Sequence, residues 1–134
     1  REVRSELGIA VFIINCGAFF GNQAVKDTVT PGNIWDFHGG EMETSMVLAE
    51  RPETVKLETS EAGIPRKFME NKTFTVYGPI TLGWVSEEWE TEDGKPIGIG
   101  GDPSGATAEK GNQIYDSFVE SILSGLKEIR KWKD

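Results

Sequence analysis

One short stretch of the sequence holds most of the residues that could carry out chemistry. His38, the only histidine of the chain, is followed by two glycines and then by Glu41 and Glu43, with Asp36 two residues before it. A neutral imidazole and one or two carboxylates are ligands that suit zinc, manganese or iron. An imidazole can also take up and release a proton near neutral pH. The spacing therefore predicts a metal-binding or proton-transferring site around His38.

The same residues also have a purely structural interpretation. A lone histidine beside glycines is often a hydrogen-bonded residue of the fold. Glu41 and Glu43 could be first-turn helix residues that interact with the helix dipole. Because the helix after them is otherwise apolar, we expect these carboxylates to be partly buried, and buried acids require a cation or strong hydrogen-bond donors.

The elements that must position this stretch indicate an α/β fold. Residues 1–7 resemble the last turns of a helix, and Gly8 is placed as its C-terminal stop. The apolar run at residues 9–14 is rich in β-branched side chains, which predicts a strand buried on both faces of a mostly parallel sheet. Because the chain opens inside a helix without an initiating Met, we expect it to be the C-terminal part of a larger fold.

Two further helices are predicted. Residues 41–51 form a nearly apolar helix that Pro52 ends, and it is expected to be buried. A long C-terminal helix begins after a cap at Ser104 or Thr107 and runs to about residue 133, packing on a sheet. Its apolar stripe is formed by Ile114, Phe118, Ile122, Leu126 and Ile129.

Shorter elements connect these helices. Alternation predicts a strand at residues 73–77 and a short edge strand at residues 55–57. Residues 92–95, Glu-Asp-Gly-Lys, predict a turn between two extended pieces. The polar loop at residues 21–33 is long for a connection between core elements, which favours a functional role.

Composition and charge exclude several classes of partner. The 134 residues make one domain, 1–134, with 37% hydrophobic and 27% charged residues, which is typical of a globular protein. The net charge of −8 argues against binding to nucleic acid or to an anionic membrane, and no apolar run has the length of a membrane span. A lone cysteine, Cys16, points to a reducing, cytoplasmic setting.

Two motifs carry a resemblance to a known family. His38-Gly-Gly-Glu-Met-Glu-Thr-Ser45, followed by the apolar helix and Arg51-Pro-Glu-Thr-Val55, resembles a signature of the creatininase (creatinine amidohydrolase) family. Gly101-Asp-Pro-Ser-Gly-Ala-Thr-Ala-Glu-Lys-Gly111 resembles that family's second signature, just before its final helix. The resemblance covers most of the chain but only the C-terminal portion of the family. It implies an incomplete part of a three-layer α/β/α sandwich.

The resemblance also implies a reaction, in which a metal-activated water hydrolyses a C–N bond of a cyclic amide or a related small molecule. His38 would be the catalytic acid and base next to the metals, and Glu41 a metal ligand. Glu43 and Asp36 would be supporting carboxylates, and Trp35 a residue of the substrate pocket. The family's cofactor would be a pair of zinc or manganese ions, with iron as a third candidate.

Several departures from the family pattern shape these expectations. The first metal motif (Glu-x-His followed later by Asp) and the Asn-Gly-His motif are absent, so one histidine cannot supply the usual ligands of a two-metal site. We therefore expect an N-terminal complementing chain or fragment, in a homo-oligomer that is hexameric by resemblance. Gly17 stands where creatininase proper has a pocket tryptophan, and Trp35 is one residue out of step. The substrate thus stays open among creatinine, a formamide, another lactam-like ring and a peptide bond.

Three interpretations of function follow from these features. The first is the C-terminal part of a metal-dependent amidohydrolase that is active only with its complement. The second is a non-catalytic assembly subunit of the same fold, in which His38 and Glu41 point into packed protein. The third is an acidic binding module whose loop at residues 21–33 binds a protein partner.

Overall fold

The structure, a computed structural model, describes residues 2–15, 22–33, 35–36, 38–71, 73–75, 80–81 and 85–132. The helices are α1 (Glu2–Leu7), α2 (Gln23–Lys26), α3 (Glu41–Glu50) and α4 (Ala108–Lys131). Two short strands, β1 (Phe74–Thr75) and β2 (Ile80–Thr81), pair in parallel, with Phe74 opposite Ile80 and Thr75 opposite Thr81. Single 3-10 turns lie at Pro52–Thr54, Leu57–Thr59, Arg66–Phe68, Ser86–Glu88 and Pro103–Gly105.

Helix α3 begins and ends where local chemistry requires. Its N-cap, Gly40, has no side chain to cap the helix, and the Asp36 carboxylate accepts the Met42 N–H at 2.8 Å instead. At the other end Pro52 cannot continue a helix, and α3 stops at Glu50. The predicted helix at residues 41–51 is thus confirmed within one residue. Its expected burial is only partly met, because Glu41 and Ser45 are buried whereas Val47 is exposed.

Helix α4 confirms the predicted long C-terminal helix. Thr107, not Ser104, is its N-cap, and the Thr107 hydroxyl accepts the Lys110 N–H at 3.1 Å. Within the described residues α4 packs against α3, and its packing on a sheet stays a prediction. None of the helices in the described ranges has the length and apolar character that a bilayer crossing demands.

The contact between α3 and α4 is close because of one glycine. A Cβ at Gly111 would lie 2.0 Å from the backbone oxygen of Ser45, so only glycine lets the two backbones approach this far. The Ser45 hydroxyl accepts the Thr107 N–H at 3.2 Å across the same contact. The buried apolar side chains of the described residues are Val25, Phe68, Trp89, Ala106 and Ile114.

The predicted buried strand at residues 9–14 differs from the structure. These residues form no strand, and all except Ala10 are exposed, with Ile13 at 90%. A strand buried on both faces needs strands beside it, and the described part of the chain pairs no strand with this segment. The sheet is therefore limited, within the described residues, to the β1–β2 pair, and the three-layer sandwich stays a prediction.

Shorter predictions had mixed outcomes. The edge strand at residues 55–57 is wrong, because 3-10 turns lie on either side of Val55. Hydroxyls favour these turns, as Thr54 donates to the Arg51 carbonyl at 2.8 Å and Ser60 to the Leu57 carbonyl at 2.8 Å. The turn at residues 92–95 is confirmed by the Thr91 N–H bond to the Lys95 carbonyl at 2.8 Å.

Other predictions fall partly or wholly on residues that are not described. β1 lies within the strand predicted at residues 73–77, but residues 76–77 are outside the described ranges. The predicted loop at residues 21–33 contains α2, which Asn22 caps by accepting the Ala24 N–H at 2.9 Å. Cys16 and Gly17 lie outside the described residues.

Candidate functional site

The two sequence motifs meet in space. His38 and Gly100 exchange both backbone hydrogen bonds, with N–O distances of 2.9 and 2.7 Å. The next residue, Gly101, exchanges a similar pair with Gly63, at 2.8 and 3.0 Å. A Cβ at Gly100 would lie 2.9 Å from the ring of buried Trp89, which explains the glycine. Three segments distant in sequence thus converge directly in front of α3.

Glu41 lies at the start of α3, next to these three segments, and is 1% exposed. Its carboxylate forms an ion pair with the Lys110 ammonium through Oε1. It also accepts the Thr30 N–H on both oxygens at 3.0 Å, the Thr30 hydroxyl at 2.8 Å and the Asn33 amide at 2.9 Å. Burial by itself would raise the pKa of Glu41, but the Lys110, Asn33 and Thr30 donors outweigh it and lower the pKa below its ordinary value. Glu41 is therefore ionised.

Lys110 is the important residue that the sequence analysis missed. Besides the ion pair, its ammonium donates to the Thr30 hydroxyl at 3.1 Å and to the Gly105 carbonyl at 2.9 Å. A signal for it was present in the sequence. Lys110 lies in the first turn of α4, where the helix dipole disfavours a positive charge. A cation in that position is better explained by a nearby carboxylate than by the helix itself.

Asp36 is buried beside Glu41 but has a different environment. Its Oδ2 accepts the Met42 N–H at 2.8 Å, which caps α3. Burial raises the pKa of Asp36 to about 6, and the negative charges of Glu41 and Glu43 add to this effect. A Cβ at Gly40 would lie 2.1 Å from Oδ1 of Asp36, so the glycine makes room for this carboxyl group.

His38 and Glu43 form a second, more open group. Nδ1 of His38 lies 3.9 Å from Oε2 of Glu43, and the His38 side chain is 57% exposed. This distance is too long for a hydrogen bond but allows attraction once the imidazole is protonated. Oε2 of Glu43 also accepts the Gly39 N–H, which holds the glycine turn against α3.

A cavity of about 470 Å³ opens beside Glu41. Of the five predicted site residues, Trp35 and Glu41 line it, whereas Asp36, His38 and Glu43 do not. The structure therefore brings the predicted residues to the N-terminal end of α3, but only two of them line the cavity. The complete lining is Thr30, Pro31, Gly32, Asn33, Trp35, Glu41, Ala62, Gly63, Ile64, Pro65, Met69, Gly101, Asp102, Ser104 and Gly105.

These groups do not fit a divalent metal by themselves. Within the described ranges, no three His, Cys, Asp or Glu side chains come together as metal ligands would. Glu41 is surrounded by donors, and Asp36 is engaged with the N-terminus of α3. Among the described residues of this stretch, His38 and Glu43 lie near each other, and two groups do not make a metal site of the usual kind.

Comparison with known proteins gives one result. The model of the family described as "Creatininase: Creatinine amidohydrolase" matches residues 1–126, which include both motifs. No curated protein and no solved structure matches the chain significantly. The family suggests an α/β fold and an amidohydrolase-type function, and it generally depends on divalent metal. The chain belongs to the creatininase family.

Proposed function

We propose that the chain takes part in the hydrolysis of a C–N bond in a cyclic amide or a related small molecule. The observation that carries this proposal is the position of His38. Its imidazole is exposed, it faces Glu43, and its backbone bonds to Gly100, the residue just before the second family motif. An amidohydrolase needs a group of this kind at the place where substrate and water meet.

His38 is proposed to move the proton of the reaction. Hydrolysis of an amide requires a proton to leave the attacking water and a proton to reach the departing nitrogen, and one imidazole can perform both transfers. Glu43 is proposed to stabilise the imidazolium formed in between, since its carboxylate lies on the Nδ1 side of the ring. The hydrogen bond from Gly39 holds Glu43 in that position.

The cavity is proposed to hold the substrate. Its volume of about 470 Å³ lies within the range of small-molecule sites. Trp35, Ile64 and Met69 provide apolar surface, and Asn33 and Ser104 provide hydrogen-bonding groups. Gly101 lines the cavity and is the neighbour of Gly100, which bonds to His38.

The divalent metal belongs to this proposal at the level of the family. Because the described residues do not fit a metal site, we propose that zinc or manganese is held mainly by an N-terminal complementing chain or fragment. The same proposal includes a homo-oligomer, hexameric by resemblance, in which the complement is placed beside His38.

Steady-state kinetics of a matched pair of variants test the proposal. The purified protein, with every chain that co-purifies, is assayed against creatinine, a formamide and other lactams. His38→Gln should lower kcat by roughly 100-fold or more, and Glu43→Gln by about 10-fold through weaker stabilisation of the imidazolium. Glu109→Gln, in the exposed first turn of α4, is the control and should change nothing. If His38→Gln keeps kcat within twofold, the proposed role is wrong.

A non-catalytic assembly subunit is the second candidate, and one observation favours it. Lys110 neutralises Glu41 from within the chain, as in a carboxylate with only a structural role. This candidate expects His38 and Glu41 to be packed away from any cleft, whereas His38 is exposed and Glu41 lines the cavity. It also expects His38→Gln to assemble normally and to leave the rate of any associated hydrolase unchanged.

A further inference from the structure

We propose that Lys110 takes the place of a metal ion at Glu41. The Lys110 ammonium is the cation that pairs with this carboxylate. Through this pair, α3 and α4 are linked to Thr30 and Gly105, which line the cavity. On this proposal Glu41 is not a metal ligand, and Lys110 is a positioning residue for the cavity. The inference concerns the network of Glu41 and does not depend on the proposed hydrolysis.

The hydrogen bonds around Glu41 leave little room for a metal. Oε1 faces the Lys110 ammonium and the Thr30 hydroxyl, and Oε2 accepts the Asn33 amide at 2.9 Å. The Thr30 N–H lies 3.0 Å from both oxygens. A carboxylate offers about four acceptor positions, so a metal would have to displace one of these donors. It would also lie close to a positive charge in a buried site, where repulsion is strong.

The ammonium itself is held as a hard cation would be held. Its three oxygen partners are the Glu41 carboxylate, the Thr30 hydroxyl and the Gly105 carbonyl. Carboxylate, hydroxyl and carbonyl oxygens are the ligand types that hard divalent cations prefer. The site thus has the ligand types of a cation-binding site, and the cation that it holds is a side chain of α4.

The network also determines the shape of the cavity. Thr30 and Asn33 belong to the turn on one side of the cavity, and Gly105 belongs to the second motif. A Cβ at Gly105 would lie 2.6 Å from the Thr30 hydroxyl oxygen and 3.0 Å from Oε1 of Glu41. The turn that holds Thr30 and Asn33, the start of α3 and the segment at Gly105 therefore lie close together, because each bonds to or contains a partner of the Glu41–Lys110 ion pair.

A second ion pair in the chain provides a matched control. Nζ of Lys95 lies 2.5 Å from Oδ2 of Asp93, but both side chains are well exposed. An exposed pair contributes little to stability, whereas removal of one partner of a buried pair leaves an uncompensated charge. Lys95→Met is therefore the control for Lys110→Met.

The test is thermal unfolding of the full chain with and without added Mn²⁺, together with the metal content after dialysis. Lys110→Met should lower Tm by roughly 10 °C, and Mn²⁺ should restore part of this loss because Glu41 regains a cation. Lys95→Met should change Tm by about 2 °C or less. The double variant Glu41→Gln with Lys110→Met should regain stability relative to Lys110→Met and should not respond to Mn²⁺. Lys110→Arg should keep most of the stability, since it keeps the charge.

The decisive comparison is the metal content of the wild type and of Glu41→Gln. Equal contents, including no metal in either, support the proposal, and a lower content in Glu41→Gln would overturn it. A Lys110→Met variant that is as stable as Lys95→Met would also overturn it. Should Lys110→Met fail to fold, the Glu41→Gln comparison still decides. No hydrolytic rate enters these measurements, so a failure of the proposed function would be seen separately.

Discussion

Two regions of the molecule carry the same kind of apolar pattern, but one buries its apolar side chains and the other exposes them. The packed centre consists of α3, the first half of α4 and residues 100–106, and it buries Ala106 and Ile114. The outer region consists of residues 2–15 and the second half of α4, where apolar side chains are exposed. Those exposed are Val3, Leu7, Ile9, Val11, Phe12, Ile13, Ile14, Leu123 and Leu126.

Helix length explains the difference between the two halves of α4. Helix α3 has 10 residues and α4 has 24, which at 1.5 Å per residue gives lengths of about 15 and 36 Å. α3 can therefore cover only part of α4. In the outer region the rings of Phe12 and Trp132 lie 6.1 Å apart, and Arg4 lies 5.7 Å from the Trp132 ring. An apolar helix face can be buried, but it is buried only where another element of the fold packs against it.

Truncation of one apolar residue in each half of α4 should give the largest contrast. Ile114 is 1% exposed and Leu126 is 47% exposed. Ile114→Ala should lower the free energy of unfolding by about 4 kcal/mol, because it leaves a cavity in the packed centre. Leu126→Ala should lower it by about 1 kcal/mol or less. Urea denaturation measures both. Equal losses would mean that the outer face of α4 is covered in solution.

The pH dependence of stability should reveal the low polarity of the packed centre. Because the folded-state pKa of Asp36 lies above its ordinary value, the folded protein binds this proton more tightly than the unfolded chain does. The contribution is complete below about pH 4 and is lost as the pH rises through about 6. The rise from 3.8 to about 6 corresponds to about 3 kcal/mol.

Asp36→Asn isolates this effect. The difference in unfolding free energy between wild type and variant should change by about 2.5 kcal/mol between pH 4 and pH 7, in favour of the variant at the higher pH. Asp116→Asn, on an exposed part of α4, controls for the loss of one negative charge. A difference that stays constant across this range would show that Asp36 is more solvated than the structure indicates.

Two glycines of α4 should give the smallest contrast, with opposite signs. A Cβ at Gly111 would lie 2.0 Å from the Ser45 oxygen, whereas a Cβ at Gly125 meets nothing within 4 Å. Gly111→Ala should destabilise by about 2 kcal/mol through overpacking. Gly125→Ala should stabilise by about 0.5–1 kcal/mol, because alanine is the better helix former. Thermal unfolding distinguishes them. A stabilised Gly111→Ala would show that α3 and α4 are farther apart.

The predictable parts of the fold are those with local causes. Gly8 ends α1 with a positive φ of 63°, Thr107 caps α4, and Pro52 stops α3. Each of these signals acts within one helical turn and can be read without knowing the rest of the structure. The two motifs likewise led to the family, because they are contiguous stretches of sequence.

The site was only partly predictable because its contacts join distant residues. The sequence pointed to Glu41 and predicted that a buried acid there would need a cation or hydrogen-bond donors. It did not show which of these partners Glu41 has. Lys110 is 69 positions away along the chain, and no local pattern connects the two. The position of His38 outside the cavity lining, and the use of Asp36 as the cap of α3, also depend on how the segments pack.

The sequence by itself determined where the main helices begin and end, which residues are chemically capable, and which family the chain resembles. Only the tertiary structure decided that an ammonium neutralises Glu41, that all of residues 9–14 except Ala10 are exposed, and that Leu123 and Leu126 of α4 are exposed. The physical reason is the range of the interactions. Capping and helix periodicity act over a few residues, whereas burial and ion pairing depend on partners that the fold brings from elsewhere.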